Sequence, residues 1–172
     1  MSAISNIIQK NDILCFYALN KKFHNQKLDA IMKSITQLGS TLAAIILSTA
    51  LMLYNKHVGL MLVINLLSSQ CVIHILKRIV DRPRPYKTLE WAVAINPPKC
   101  RYSLPSGHSG SALSIALILA SFFPFIKVAL ITVAILVGVS RIYLGVHYPT
   151  DVTLGFAISF SVYKALQYLV FI

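Results

Sequence analysis

The chain has 172 residues, enough for one domain, and we expect residues 1–172 to form a single domain. It is 56% hydrophobic and only 12% charged, whereas soluble domains usually carry about 25% charged residues, so an ordinary soluble domain is excluded. A net charge of +11 is typical of nucleic-acid binding, but the long apolar runs exclude that class. In an apolar chain, the positive charge instead favours anionic lipid head groups or phosphate esters as partners. The composition therefore indicates an integral membrane protein.

The N-terminal segment, residues 1–27, mixes isoleucine, leucine and aromatic residues with lysines. This pattern predicts an amphipathic helix that lies in the membrane interface. A short ordinary helix packed on the rest of the protein fits the same pattern equally well.

Five apolar segments follow, and each is a candidate for a membrane-spanning helix, which needs about 20 apolar residues. They lie at residues 34–55, 58–76, 107–124, 128–146 and 152–172. The connection between the first two is short, so these two helices are expected to be antiparallel neighbours. The predicted fold is an all-α integral membrane bundle of about five transmembrane helices plus the N-terminal interfacial amphipathic helix.

Residues 77–101 carry nine charged side chains and four prolines, which predicts a polar connection at one membrane surface. Lys77 lies at a helix end, and Arg84 lies between Pro83 and Pro85, which stiffen the chain around the guanidinium. An arginine can grip two phosphate oxygens, and a lysine supplies a point charge. Lys77 and Arg84 are therefore interpreted as phosphate ligands, or else as basic residues that flank a span and meet lipid head groups. We assign this second role to three further basic residues: Arg78, Arg82 and Lys87.

The next polar cluster is PSGH at residues 105–108, directly before the third predicted span. Ser106 can cap the helix, and Gly107 lets backbone N–H groups approach an anion closely. His108 would then point into the same pocket, where its best role is a general acid that protonates a leaving alkoxide. An N-cap followed by an interfacial histidine is the alternative.

A cation, an imidazole and a carboxylate occur together in the stretch SRIYLGVHYPTD, residues 140–151. They are Arg141, His147 and Asp151. A neutral His147 is a good nucleophile if Asp151 accepts the proton-bearing N–H of its other ring nitrogen. Pro149 suits the first turn of a helix, whose positive end favours an anionic substrate. The alternative is a His–Asp contact that only joins a loop to a helix.

The three polar clusters are predicted to meet at one end of the bundle. The second predicted span ends at Lys77, the third begins near Gly107, the fourth ends near Arg141 and the fifth begins near Asp151. Because successive spans cross in opposite directions, all of these ends lie on the same membrane face.

Taken together, the clusters resemble the three-part signature of the type 2 phosphatidic acid phosphatase (PAP2) superfamily. The matching residues are Lys77 with Arg84-Pro85, Pro105-Ser106-Gly107-His108, and Ser140-Arg141 with His147 and Asp151. All three parts occur in order and with the usual internal spacings. The resemblance implies an integral membrane phosphatase of lipid phosphates that needs no metal and no other cofactor.

The resemblance also implies a role for each matching residue. By it, His147 is the nucleophile that forms a phosphohistidine, Asp151 orients it, and His108 is the general acid. The residues implied to hold the phosphoryl oxygens are Lys77, Arg84, Arg141, Ser106 and Gly107. Three fixed cations with backbone N–H groups suit the charge of a phosphoryl transition state.

The implied substrates are lipid phosphates or diphosphates of the phosphatidic acid, phosphatidylglycerophosphate or undecaprenyl diphosphate class. Two alternatives remain open. A lipid phosphotransferase would use the same phosphohistidine, and a non-catalytic membrane protein would retain the pocket only to bind or carry lipids.

The charge distribution and the resemblance predict opposite orientations. If the N-terminal segment lies on the reactive face, that face carries 13 of the 16 Lys and Arg residues. The positive-inside rule would place it in the cytoplasm, whereas the resemblance implies the outer face of the plasma membrane. We follow the resemblance, because a basic pocket for an anionic lipid distorts the charge count.

Overall fold

The computed structural model describes residues 3–170, which form helices without any β-strand. The helices are α1 (Ala3–Tyr17), α2 (Gln26–Gln37), α3 (Thr41–Tyr54), α4 (Lys56–Val80), α5 (Pro85–Thr88), α6 (Gly107–Phe122), α7 (Lys127–Tyr143) and α8 (Pro149–Val170). A π-helical turn at Ala18–Lys22 continues α1, and a 3-10 turn at Pro124–Ile126 leads into α7. The predicted all-α fold is confirmed. The predicted N-terminal segment and fifth span also included residues 1–2 and 171–172, which lie outside the described residues.

Within residues 3–170, two helices are long and apolar enough to cross a membrane. These are α4, with 25 residues, and α7 together with its 3-10 turn, with 20 residues. Helices α2 and α3 meet the same test as a pair, but they are bent by 45°. The prediction of a single helix at residues 34–55 was therefore wrong, because this segment contains the end of α2, the bend and α3. Helix α6 is apolar but has only 16 residues, and α8 is not among the helices that meet the test. Crossings by α6 and α8 therefore stay predictions.

The bend between α2 and α3 follows from the residues that form it. Ser40 caps α3, because its hydroxyl accepts a hydrogen bond from the backbone N–H of Ala43 at 3.2 Å. A Cβ atom at Gly39 would lie 2.5 Å from the carbonyl oxygen of His108 and 2.8 Å from Val137 Cγ1. The missing side chain thus lets the corner pack directly against α6 and α7.

Helix α6 occupies the centre of the bundle and packs against α4, α7 and α8. Its contact with α7 is made by small apolar side chains such as Ala112, Ala116 and Ala134. A Cβ atom at Gly110 would lie 2.6 Å from Ile73 Cδ1 of α4. Small residues of this kind let membrane helices approach closely, and the close packing fixes the start of α6 relative to its neighbours.

Helix α1 packs on the bundle through two buried side chains. Phe16 is 0% exposed, and Asp12 is 2% exposed. The Phe16 ring lies 5.7 Å from the rings of both Trp91 and Tyr148. These contacts support the second interpretation of the N-terminal segment, a helix packed on the rest of the protein.

Candidate active site

The end of α4 and the chain that follows place two of the predicted cations. Asp81 adopts a left-handed conformation, with φ of 45°, and ends α4 about one helical turn after Lys77. Lys77 is buried, and its Nζ lies 3.5 Å from the carbonyl oxygen of Tyr102. Arg84 is buried as well and donates from Nε to the Cys100 carbonyl at 2.7 Å and from Nη1 to the Val146 carbonyl at 2.8 Å. The backbone therefore fixes the Arg84 guanidinium in one orientation.

The start of α6 is joined to the start of α8. Ser106 caps α6, since its Oγ accepts a hydrogen bond from the Ser109 N–H at 3.4 Å. Its own N–H donates to the Asp151 carbonyl oxygen at 2.8 Å. The backbone N–H of Ser106 is therefore not available to a phosphate, and its hydroxyl already lies 2.8 Å from the Ser109 hydroxyl, which narrows the predicted role of Ser106. The half-buried His108 lies in the first turn of α6.

The turn from α7 to α8 carries the remaining residues. Gly145 has a φ of 80°, and a Cβ atom there would lie 2.0 Å from the Val93 carbonyl oxygen, so the turn requires glycine. His147 follows it and is 2% exposed. Asp151, which is fully buried, lies in the first turn of α8, as predicted from Pro149.

His147 lies between a carboxylate and a guanidinium. Its Nδ1 is 3.5 Å from Asp151 Oδ2, and its Nε2 is 3.4 Å from Arg84 Nη1. Asp151 Oδ2 also accepts the N–H of Tyr148 at 2.8 Å. The backbone thus holds the carboxylate in place beside the ring. The predicted neighbours are 3.5 Å apart, but His147 Nδ1 has no hydrogen-bond partner among residues 3–170, so the predicted hydrogen bond to Asp151 stays a prediction.

Burial lowers the pKa of His147 well below its usual value, and the positive charges of Arg141, Arg84 and Lys77 lower it further. The ring is therefore neutral at physiological pH. A neutral imidazole with its proton on one nitrogen keeps a lone pair on the other, which is the form that a nucleophile needs.

Arg141 approaches the same site from the last turn of α7. It is 7% exposed, and its Nη1 donates to Thr36 Oγ1 of α2 at 2.9 Å. Its buried Nε has no partner among residues 3–170. A buried donor without a partner is unfavourable, so an anion bound here would satisfy it.

The structure therefore brings the three predicted clusters together at one end of the bundle. Arg84, His147 and Asp151 are in direct contact, and the backbone of Ser106 is bonded to that of Asp151. Lys77 and Arg141 make no hydrogen bond to the His147 ring within residues 3–170, and they act on it through their positive charges. Among residues 3–170, no group of three or more His, Cys, Asp or Glu side chains is placed to bind a metal ion.

One prediction about the basic connection was wrong. Arg82 does not serve only to meet lipid head groups, because its Nη1 donates to Asp151 Oδ1 at 2.8 Å and its Nη2 to Asp12 Oδ2 at 2.7 Å. No local sequence signal pointed to this role, because Asp12 lies 70 positions from Arg82 along the chain. Arg78 and Lys87 are exposed, which is compatible with the role assigned to them.

A groove of about 1050 Å³ lies beside the site, between α1 and α8. Asp12, Arg82 and Thr150 form part of its polar wall. Its other lining residues are mainly apolar and include Ile8, Ile13, Leu89, Leu104 and Leu154.

Comparisons with known proteins agree with this geometry. The family model described as PAP2 superfamily matches residues 58–171. A lipid A 1-phosphatase of Rhizobium etli is 33% identical over 127 residues, which are 70% of this chain and 55% of that protein. Phosphatidylglycerophosphatase B of Bacillus subtilis is 31% identical over 147 residues, or 76% of this chain and 70% of that protein. The chain thus spans about half the length of the first of these relatives.

The fold also matches a solved structure. LpxE from Aquifex aeolicus has a TM-score of 0.82 and 28% sequence identity, over 89% of this chain and 92% of that chain. The family match covers the two site histidines, His108 and His147, and the three cations Lys77, Arg84 and Arg141. This match and the relatives together show that the chain belongs to the PAP2 superfamily.

Proposed function

We propose that this protein is an integral membrane phosphatase that hydrolyses lipid phosphate or diphosphate esters through a phosphohistidine, without a metal ion. The observation that carries the proposal is the buried His147 between Asp151 and Arg84. We further propose that residues 1–172 form a single phosphatase domain.

In the first step, Nε2 of His147 attacks the phosphorus atom of the substrate. A bond forms between nitrogen and phosphorus, and the bond from phosphorus to the lipid oxygen breaks. His108 takes up a proton when the negatively charged phosphoryl group binds beside it, and it donates that proton to the leaving oxygen. Asp151 accepts the N–H of Nδ1 and stabilises the positive charge that develops on the ring.

In the second step, a water molecule attacks the phosphohistidine, and His108, now without its proton, accepts a proton from that water. The nitrogen–phosphorus bond breaks, inorganic phosphate leaves, and both histidines return to their starting states. Phosphoryl transfer of this kind depends on position and charge rather than on further covalent chemistry.

The phosphoryl oxygens are held by Lys77, Arg84 and Arg141 and by the N-terminus of α6. The unpartnered Nε of Arg141 is a free donor for one oxygen. Gly107 carries no side chain at the first position of α6, so its N–H can approach an anion, and the positive end of the helix favours negative charge.

A lipid substrate is supported by three observations. The relatives named above are a lipid A 1-phosphatase and a phosphatidylglycerophosphatase. The helices are apolar enough to lie in a membrane, and the groove beside the site has mainly apolar walls. We propose phosphatidic acid, phosphatidylglycerophosphate and undecaprenyl diphosphate as the substrate classes, with the site on the outer face of the plasma membrane.

The test is phosphate release by the purified protein in detergent, with EDTA, from a panel of these three lipids. We expect release from at least one lipid and its loss in His147→Ala, with the helical circular dichroism spectrum retained. His57→Ala is the matched control, because His57 is exposed at the other end of α4 and should leave release unchanged.

Two outcomes would contradict the proposal. Release that persists in His147→Ala would discard the nucleophile, and release that stops with EDTA and returns with a divalent cation would discard metal independence. Transfer of labelled phosphate to a second lipid, without free phosphate, would instead identify a phosphotransferase.

A further inference from the structure

A buried bridge of three charged side chains lies behind the nucleophile. Arg82 donates from Nη1 to Asp151 at 2.8 Å and from Nη2 to Asp12 at 2.7 Å. The three residues come from different elements: Asp12 from α1, Arg82 from the chain after α4, and Asp151 from α8. We refer to this group as the Asp12–Arg82–Asp151 bridge.

Neighbouring groups fix the bridge in place. Thr150 donates its N–H to Asp12 Oδ1 at 2.9 Å, and its hydroxyl accepts from Arg82 Nη1 at 2.8 Å. The same hydroxyl donates to Asp12 Oδ2. The Tyr148 ring lies against the guanidinium, 4.1 Å from its central carbon, which is a favourable cation–π distance.

Burial makes the cation necessary. The Asp12 and Asp151 side chains are 1% and 0% exposed, and that of Arg82 is 22% exposed. Buried carboxylates are unfavourable unless they are paired and hydrogen-bonded. With one guanidinium between two carboxylates, the bridge has a net charge of −1. Asp151 Oδ2 is its oxygen atom nearest to the His147 ring, 3.5 Å from Nδ1.

From this geometry we infer that Arg82 is a positioning residue for the reaction, and that Asp12 of α1 holds Arg82 in place for that purpose. Arg82 fixes one oxygen of Asp151, so that the other oxygen stays charged and directed at His147. The inference rests on the proposed role of His147. It also makes α1 part of the active site, although Asp12 lies outside the family match at residues 58–171.

The alternative is that the bridge only attaches α1 to the bundle. The two roles differ in their charge dependence. Arg82→Gln leaves two buried carboxylates without a cation, whereas the double variant Asp12→Asn/Arg82→Gln again leaves one negative charge. A positioning role therefore predicts that the second substitution restores part of what the first removes, and an attachment role predicts that the losses multiply.

The experiment measures kcat and KM for phosphate release in detergent, from whichever lipid of the panel the wild type hydrolyses. We expect Arg82→Gln to lower kcat by about 10- to 100-fold, as is typical when a supporting partner of an active-site residue is lost, with KM changed by less than about threefold. We expect the double variant to recover at least about threefold of that kcat. Both variants should retain the wild-type helical circular dichroism spectrum.

Arg101→Gln is the matched control. Arg101 makes the same kind of ion pair with Asp81 at 3.1 Å, but its side chain is 64% exposed. An exposed pair contributes little, so this variant should keep the wild-type kcat. A wild-type kcat in Arg82→Gln, or losses that multiply in the double variant, would overturn the inference.

A second measurement separates this inference from the proposed function. Orthovanadate mimics a phosphoryl group during transfer, and its binding can be measured by calorimetry without any lipid. We expect Arg82→Gln to weaken its binding by at least about tenfold, again with partial recovery in the double variant. If the wild type hydrolyses no lipid but vanadate follows this pattern, the lipid phosphatase proposal fails and the positioning role stands; equal binding by wild type and Arg82→Gln would overturn the positioning role.

Discussion

His147 is neutral because it is buried among positive charges, and this state has a measurable cost in acid. The pKa of the folded state lies well below the usual value near 6.5, so the unfolded chain binds a proton first as the pH falls. The free energy of unfolding is therefore unaffected by this residue above about pH 6.5. Below that pH it declines, by up to about 1.4 kcal/mol per pH unit from His147.

The measurement is thermal unfolding in detergent at pH 7.5 and pH 5.5, for wild type and His147→Gln. We expect wild type to lose more stability than the variant between the two values, because glutamine does not titrate. Equal losses in both proteins would show that the ring is not held neutral.

Arg84 supports a second prediction at the level of a single side chain. Two of its nitrogens bind the carbonyls of Cys100 and Val146, while Nη1 also faces His147. Lysine has no planar fork and cannot make these contacts together. We expect Arg84→Lys to lower kcat/KM for phosphate release by about 10²- to 10³-fold, the usual size when a fixed donor is lost from a transition-state site.

The matched control for that substitution is Arg78→Lys, six residues earlier and exposed in the last turn of α4. It should behave as wild type. If Arg84→Lys retained full activity, a simple positive charge would suffice at this position, and the guanidinium geometry would be irrelevant.

The sequence was sufficient to predict the pairing of His147 with Asp151 and the approach of Arg84, because local motifs carry these residues. It was not sufficient for Arg82. Its partner Asp12 lies 70 positions away in a segment without a recognisable motif, so nothing local distinguishes Arg82 from a basic residue at a membrane surface.

Among the elements, the corner between α2 and α3 packs directly against the start of α6, where His108 lies. A methyl group at Gly39 would meet the backbone oxygen of His108, which cannot move as a flexible side chain would. We expect Gly39→Ala to lower the free energy of unfolding by about 1–3 kcal/mol, as overpacking usually does. We also expect kcat to fall, because His108 would be displaced.

Thermal unfolding and phosphate release in detergent would check both effects. Thr41→Ala, two residues further along the same corner and exposed, is the control and should change neither. A Gly39→Ala protein with wild-type melting temperature would mean that the corner tolerates the added carbon.

This corner also shows where prediction from sequence stops at the level of elements. The segment at residues 34–55 has no charged residue, so its hydropathy indicates one straight crossing. Glycine and serine are both tolerated inside membrane helices. Only the tertiary neighbours of Gly39 and Ser40 reveal that the chain turns here and that Ser40 caps α3.

At the scale of the whole molecule, orientation in the membrane is the property on which the charge count and the family resemblance disagree. Helix α8 begins at the site, so if it crosses the membrane its far end lies on the opposite side. We expect a reporter fused to the C-terminus to lie in the cytoplasm, which corresponds to an outward active site.

An alkaline phosphatase fusion, active only outside, and a fluorescent protein fusion, fluorescent only inside, would measure this. An active alkaline phosphatase with a dark fluorescent protein would reverse the assignment and favour the positive-inside rule. The convergence of three distant clusters at one end of the bundle was predictable from counting the crossings, and it does not depend on which side that end faces.

The hydrogen bond from the Ser106 N–H to the Asp151 carbonyl has a mechanical consequence. It ties together the helix starts that carry the proposed proton donor and the carboxylate beside His147, so we expect these groups to move together. Widening the entrance for a bulky head group would then fall to the irregular segment at residues 89–104, whose two ends, Leu89 and Leu104, line the groove beside the site. Crosslinking that segment should slow the exchange of large substrates while sparing small phosphate esters.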